Sequence, residues 1–318
     1  TTGNITFNIN REASYNGNVN NNINTTGTVS YLPTLATGFL SQVPTIGTKI
    51  SSDATGLTIG NDVSTNTWAY ASSNTYSIAG PIKIYAGTAS VAHNMTSTRS
   101  GTGILVEATG DISVSGGASG TPRVLQSNGG AITLWSDSDN SGAGAINLAD
   151  YTSLNSAGGS TSLTVAGGPI NLAGGADANA DGVPDGSAAG NSSGNTDGIS
   201  LGNKTSSVAN SINIYSGTSA ITIKGVSNFG RGVFVTPGAN IQAGDAILIQ
   251  GSSGGSGSGF LHAVAIGDMA TVSTTANIVS AKASGLAIQI IGESTNTATT
   301  QPSSGVVITP NASASYIS

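Results

Sequence analysis

The sequence predicts an all-β chain coiled as a parallel β-solenoid, and three observations predict it. Short apolar-alternating pieces recur, as in residues 211–251, where Ile212 and Ile214, Ile221 and Ile223, Val233 and Val235, Ile241, then Ile247 and Ile249 follow a period of two. That is the pattern of a strand with one buried face. Each piece is closed by Gly, Ser, Asn or Pro, which supply turn geometry. Equivalent positions return after 21 residues from Ile212 to Val233 and after 20 from Ile221 to Ile241, so three short strands are expected to fill one coil before the pattern restarts.

Composition narrows the alternatives. With 46 Gly, 37% hydrophobic and only 8% charged residues in 318, the chain lacks the high charge that keeps a disordered chain open. The net charge of -6 and nine scattered basic residues argue against nucleic acid, which needs clustered Lys and Arg; anionic membrane surfaces are disfavoured for the same reason. No apolar run approaches the roughly 18 residues of a helical membrane span, so no membrane insertion is expected. Cysteine is absent, which excludes disulfides and thiolate metal sites. Stability is therefore expected from ladder hydrogen bonds and stacked aliphatic rows. A Cys-free, Gly/Ser/Thr/Asn-rich chain opening on TTGNITF without Met reads as a processed product or a piece of something longer, secreted to the extracellular space or the bacterial cell surface.

Residues 1–78 read as an irregular N-terminal cap, or first set of coils, or an assembly segment whose first strand, GNITFNIN, adds to a neighbouring copy. Pro33 and Pro44 are expected to break any ladder there. Residues 79–318 read as the regular solenoid, with loop insertions at about 174–197 and 251–259. Its repeat distances include Ile82 to Ile104 (22), Ile112 to Ile132 (20), Ile146 to Ile170 (24) and Ile199 to Ile221 (22). About ten coils at a strand spacing of about 4.8 Å would make a rod roughly 50 Å long.

The phrases GDISVSGG, GGAITLWSDSDNSGAGAINLA, GGPINLAGGAD and GANIQAGDAILIQG, within residues 80–310, resemble the repeat region of filamentous-haemagglutinin-type bacterial exoproteins. The resemblance implies a right-handed parallel β-helix and a large secreted adhesin. The cap motif of that family's secretion domain is not recognisable here.

One local motif carries ligand chemistry. In ADANADGVPDG, Asp177, Asn179, Asp181 and Asp185, with the Val183 carbonyl and Gly182 at the sharp turn, follow the order in which oxygen ligands wrap calcium. The motif is similar to thrombospondin-type and dockerin-like calcium loops. Ala188 stands where an EF-hand has its bidentate Glu, which excludes a complete helix-loop-helix site. Asp137, Asp139 and Asn140 form a second acidic turn, expected to satisfy itself through Asx-turn hydrogen bonds. Trp135 is expected to cover a coil corner, with sugar stacking as the alternative.

Catalysis has little to work with. His93 and His262 are far apart in sequence, and Arg11, Arg99, Arg123 and Arg231 have no carboxylate cluster beside them, although residues one coil apart could meet in space. GSSGGSGSG at 251–259 lacks the Lys-Ser/Thr ending of a phosphate loop and reads as a flexible excursion. Sequons at Asn4, Asn24, Asn94, Asn191, Asn203 and Asn311 are expected by chance in so Asn- and Thr-rich a chain. The reading is a non-enzymatic structural or adhesive rod that associates with copies of itself as a homo-oligomer or fibre. Its runner-up is a β-helix that binds or cleaves carbohydrate, with surface glycans as partners.

Overall fold

Alternating Ile, Val and Leu give each strand one face that must leave water, and a single three-strand coil has nothing to bury it against. In a computed structural model, which describes residues 2–9, 22–33, 49–61, 69–71, 75–191, 195–203, 212–255, 261–267, 275–295, 303–309 and 316–317, the solution is stacking. The described residues contain no helix. From Gly56 onward the chain visits three parallel sheets in one repeating order; before that, first-sheet strands alternate with a separate parallel pair, Asn22–Ile23 with Lys49–Ile50.

The first sheet runs through Ile5–Ile9, Thr28–Pro33, Gly56–Ile59, Ile82–Ala86, Ile104–Ala108, Ile132–Ser136, Ile170–Gly174, Ile221–Ser227, Ile247–Ser253 and Ile288–Ser294. The second runs through Ala69–Ala71, Thr88–Val91, Ile112–Val114, Ile146–Leu148, Ile199–Leu201, Val233–Val235, Val264–Ile266 and Val306–Ile308. The third runs through Tyr76–Ile78, Met95–Ser100, Arg123–Asn128, Thr152–Asn155, Ile212–Tyr215, Ala239–Ala243, Asn277–Ser280 and Tyr316–Ile317. The first sheet has ten rungs among the described residues, but only seven of them lie in 79–318, where about ten coils were expected, because several coils carry long loops; nine spacings of about 4.8 Å give a stack of about 43 Å.

Register turns this topology into a core. On the first sheet one inward column reads Ile5, Val29, Leu57, Ile82, Ile104, Ile132, Ile170, Ile221, Ile247, Ile288. A second, two residues on, reads Phe7, Tyr31, Ile59, Ile84, Val106, Leu134, Leu172, Ile223, Ile249, Ile290. From Leu57 to Ile249 these side chains are buried and form one continuous cluster. A one-residue slip would turn a whole column to solvent, which pins the register.

Two sequence expectations are corrected. The repeat distance of 22 from Ile82 to Ile104 is a true rung pair, but Ile112 pairs with Ile146, Ile146 with Ile199, and Ile199 with Val233. The other spacings equated strands on different sides of the coil. All three sides share the same alternation and small-residue corners, so the sequence does not mark which side a strand occupies. Pro33, expected to break the ladder, ends the strand Thr28–Pro33 opposite Ile9, a terminal position where a missing N–H costs no interior ladder bond.

Three rungs of the first sheet also fall within residues 1–78, in register with the rest, and Phe7 stacks on Tyr31 with ring centroids 4.8 Å apart. Of the expected insertions, residues 174–197 contain a short strand, Ala188–Ala189, that pairs with Gly225 and Val226. At 251–259, Gly251, Ser252 and Ser253 continue a strand opposite Gly225, Val226 and Ser227, while 256–259 lie outside the described residues. Arg11, Pro44 and Asn311 also lie outside them.

The corners are held by hydroxyls. Where the third sheet hands over to the first, buried Ser127, Ser156 and Ser216 donate to the carbonyls of Gly130, Gly168 and Ser219 at 2.6, 2.6 and 2.7 Å. Ser97 and Ser280 do the same toward Gly80 and Asp245, and Thr25, just after the strand Asn22–Ile23, toward Gly3. Every one of these acceptors sits two residues before a first-sheet strand. A carbonyl at a buried corner has no ladder partner, so a small hydroxyl that fits inside the bend supplies one.

Candidate functional site

The Asp177–Asp185 motif folds as a turn that satisfies itself. Asp177 accepts from the N–H of Asp181 at 3.1 Å and of Gly182 at 2.8 Å. Asp185 accepts from the N–H of Ala178 at 2.9 Å, and Asp181 from that of Val183 at 2.9 Å. The Asn179 side-chain Oδ1 accepts from Asp181 N–H at 3.0 Å, and Lys224 Nζ donates to the Asp185 main-chain carbonyl at 2.9 Å. Ala180 and Gly182 have φ of 58° and 81°, the left-handed angles the sharp bend requires. No three acidic or histidine side chains converge on one point among the described residues.

At the second acidic turn, Asp137 is buried, with φ 51°, and its carboxylate accepts from Ser141 Oγ at 3.0 Å and from the N–H of Gly142 and Ala143 at 2.9 and 3.2 Å. Burial raises its pKa above the ordinary carboxylate value; those hydrogen bonds pull the other way and are outweighed. Asp139 accepts from Ser141 N–H at 3.2 Å. The Asx-turn expectation describes this loop. Trp135 is buried at the corner with Nε1 donating to the Gly175 carbonyl at 2.7 Å, so its ring face is not offered to a sugar.

The charged residues are distributed by the rung rule. Asp197, Arg231 and His262 each lie two residues before a second-sheet strand and are in register with one another over three consecutive rungs, all buried. Arg231 N–H donates to Asp197 at 2.9 Å, its guanidinium stands 3.9 Å from the Asp197 carboxylate, and it lies 4.8 Å over the Phe234 ring. Here residues one coil apart do meet. Their separation of 34 residues in the sequence, from Asp197 to Arg231, hid the contact. His93 lies five second-sheet rungs from His262, about 24 Å away along the stack, and its pKa is lowered by partial burial and by nearby Arg123. Arg123 Nη1 donates to Asn94 Oδ1 at 3.4 Å.

Two open grooves lie on the sheet surfaces. One, about 610 Å³, crosses the second sheet between Ala145–Asp150 and Asn195–Asn203. The other, about 470 Å³, lies on the third sheet over Gln126, Ser153, Asn213, Tyr215 and Asn240. Asn213, Tyr215 and Asn240 in its lining belong to a linked amide row that continues past the groove to Gln242 and Asn277. Asn277 Nδ2 donates to Asn240 Oδ1 at 2.9 Å, Asn240 Nδ2 to Tyr215 Oη at 2.6 Å, and Tyr215 Oη to Asn213 Oδ1 at 3.2 Å; Gln242 Nε2 also donates to Asn240 Oδ1 at 2.7 Å. Sequence reasoning missed this row. Its signal was the recurrence of Asn, Gln and Tyr at outward positions of Ile212–Tyr215 and Ala239–Ala243, legible only with the register in hand.

No protein-family model matches the chain, and no curated protein or solved structure matches it significantly.

Proposed function

We propose that the chain is a non-enzymatic, extracellular structural or adhesive rod, displayed at a bacterial surface or stacked end to end as a fibre or sheath subunit. One observation carries the reading. The inward columns continue unchanged to the last described rung, where Ile288 and Ile290 are only partly buried and Val306 and Ile308 are 38% and 40% exposed. Ile5 and Phe7 are likewise partly buried at the other end. The outermost described rungs thus present a strand edge and an apolar row of the kind that stacks rung on rung inside the molecule. A head-to-tail contact of this type does not close, so it propagates into a filament.

Electron microscopy and light scattering against concentration test the proposal. Filaments growing with concentration are expected, and their loss in the double substitution Ile288→Lys, Ile290→Lys. Isolated rods at every concentration would sink the fibre. The Cys-free, low-charge composition supports the extracellular setting, and the repeat phrases support kinship with filamentous-haemagglutinin-type adhesins.

Calcium at Asp177, Asn179, Asp181, Val183 and Asp185 is a second element of this proposal, supported by the order of oxygens in the motif. An ion would have to draw together carboxylates now spent on the turn's own N–H groups. Calorimetric titration should give heat and calcium should raise Tm; no heat, with Tm unmoved by chelator, rejects the site.

A further inference from the structure

We infer that the groove on the third sheet binds a neutral glycan whose chain runs along the solenoid axis, across the rungs. This rests on the adhesive reading and specifies its ligand class.

The groove is walled before any ligand arrives. Asn155 fixes the loop that follows its strand, donating from Nδ2 to the Ser160 carbonyl at 2.9 Å and accepting at Oδ1 from the N–H of Ala157 and Gly159 at 2.9 and 3.0 Å. The far end of that loop is tied to the next coil, where Thr218 N–H donates to the Val165 carbonyl at 2.9 Å. A fixed wall spares a ligand the entropy of ordering it.

Chemistry selects the ligand. Among the described residues no charged side chain lines the groove, so phosphate, sulfate and uronate groups would find no counter-charge from them. Beside Pro122, Val124 and Gly159, the described lining consists of amides, hydroxyls and one phenol, which disfavours a purely apolar guest. Gln126, Ser153 and Thr161 line it and spend no side-chain hydrogen bond within the protein, leaving donors and acceptors for ligand hydroxyls. Tyr215 stands on the outward side of its strand, half-buried between the neighbouring rungs. Its ring offers an apolar surface to the C–H face of a sugar. The amide row fixes that ring through Asn240 and Asn213.

Spacing selects the direction. Ser153, Asn213 and Asn240 occupy one outward column on consecutive rungs, with Gln126, Asn155 and Tyr215 in the column beside it. The rung repeat of about 4.8 Å is close to the length of one hexopyranose unit. A polysaccharide lying along the axis would meet a fresh polar side chain at each sugar.

Affinity electrophoresis tests this with three neutral polysaccharides, dextran, laminarin and galactomannan, against polygalacturonate and heparin as acidic comparisons. Retardation by at least one neutral polymer is expected. Gln126→Ala, which removes a side chain with no partner in the protein, should weaken it about fivefold to tenfold, as loss of one ligand hydrogen bond does, with Tm unchanged. Tyr215→Ala should weaken it further, and Tyr215→Phe should retain part of the binding. Retardation by none of the neutral polymers, by the acidic ones alone, or equally in Gln126→Ala overturns the inference. Micrographs of the same samples separate the two readings: filaments without retardation sink the glycan site alone, and retarded rods that never elongate sink the fibre alone.

Discussion

Ile223 in a middle rung and Ile290 in the last described rung occupy the same inward column, one strand apart from Ile249 on either side, yet the first is fully buried and the second only partly. Val264 and Val306 repeat the contrast on the second sheet, at 0% and 38% exposure. The residues and local backbone are alike; the difference is a neighbour on the outer side. In a solenoid, burial belongs to the stack, and the stabilisation it brings is a nearest-neighbour quantity.

Truncation in both places gives the largest expected contrast. Ile223→Ala should cost about 2–5 kcal/mol, since it opens a cavity between two packed rungs. Ile290→Ala should cost well under half as much, because its side chain is already partly hydrated. Thermal or denaturant unfolding of the two variants checks this, and equal losses would mean that the last rung is covered in solution.

The corner hydroxyls extend the contrast to polar groups. Ser156→Ala leaves the Gly168 carbonyl buried without its donor, at a cost of about 1–3 kcal/mol. Ser294, in the last described rung of the first sheet, is only partly buried, donates to the Leu261 carbonyl at 3.3 Å and accepts from Ser253 Oγ at 3.2 Å. Ser253 itself donates to that carbonyl at 2.8 Å, so Ser294→Ala leaves the acceptor satisfied and should cost about a few tenths of a kcal/mol.

Titration gives a smaller effect with a definite sign. Burial in a middle corner raises the Asp137 pKa, so between the ordinary carboxylate value and the raised one the folded state holds more protons than the unfolded. Its contribution is therefore most favourable at low pH and is lost as pH rises through the raised value. At a partly exposed corner one rung in from the last described one, Asp245 is held below its ordinary value by the hydrogen bond from Lys282, 2.9 Å away. Its contribution is present above the ordinary value and lost as pH falls through the lowered one. Tm measured against pH should show opposite slopes, removed by Asp137→Asn and by Asp245→Asn respectively. The smallest effect is expected at Lys282→Ala, an exposed pair that salt screens.

Strand chemistry was legible throughout, because alternation and small-residue corners are local. Ile212–Tyr215, Ile221–Ser227, Val233–Val235 and Ile247–Ser253 stand where their apolar residues placed them. The ligand motif was legible as a turn, since Asp177 to Asp185 needs only its own N–H groups to close. Rung equivalence was not legible, and neither were its consequences. The Asp197–Arg231 contact, the serine-held corners and the amide row from Asn213 to Asn277 all join residues from different rungs or from opposite sides of a bend.

The amino-acid order alone prescribes a chain of short parallel strands with aliphatic faces, without disulfides and with little charge. It can do so because side-chain alternation and turn preference act within a few residues. The folded stack was needed to establish which strands share a rung, which polar residues form a surface and which apolar ones stay exposed. Those depend on how many residues each coil spends before returning, from 19 between Tyr76 and Met95 to 60 between Thr152 and Ile212, a length that loop chemistry permits but does not announce.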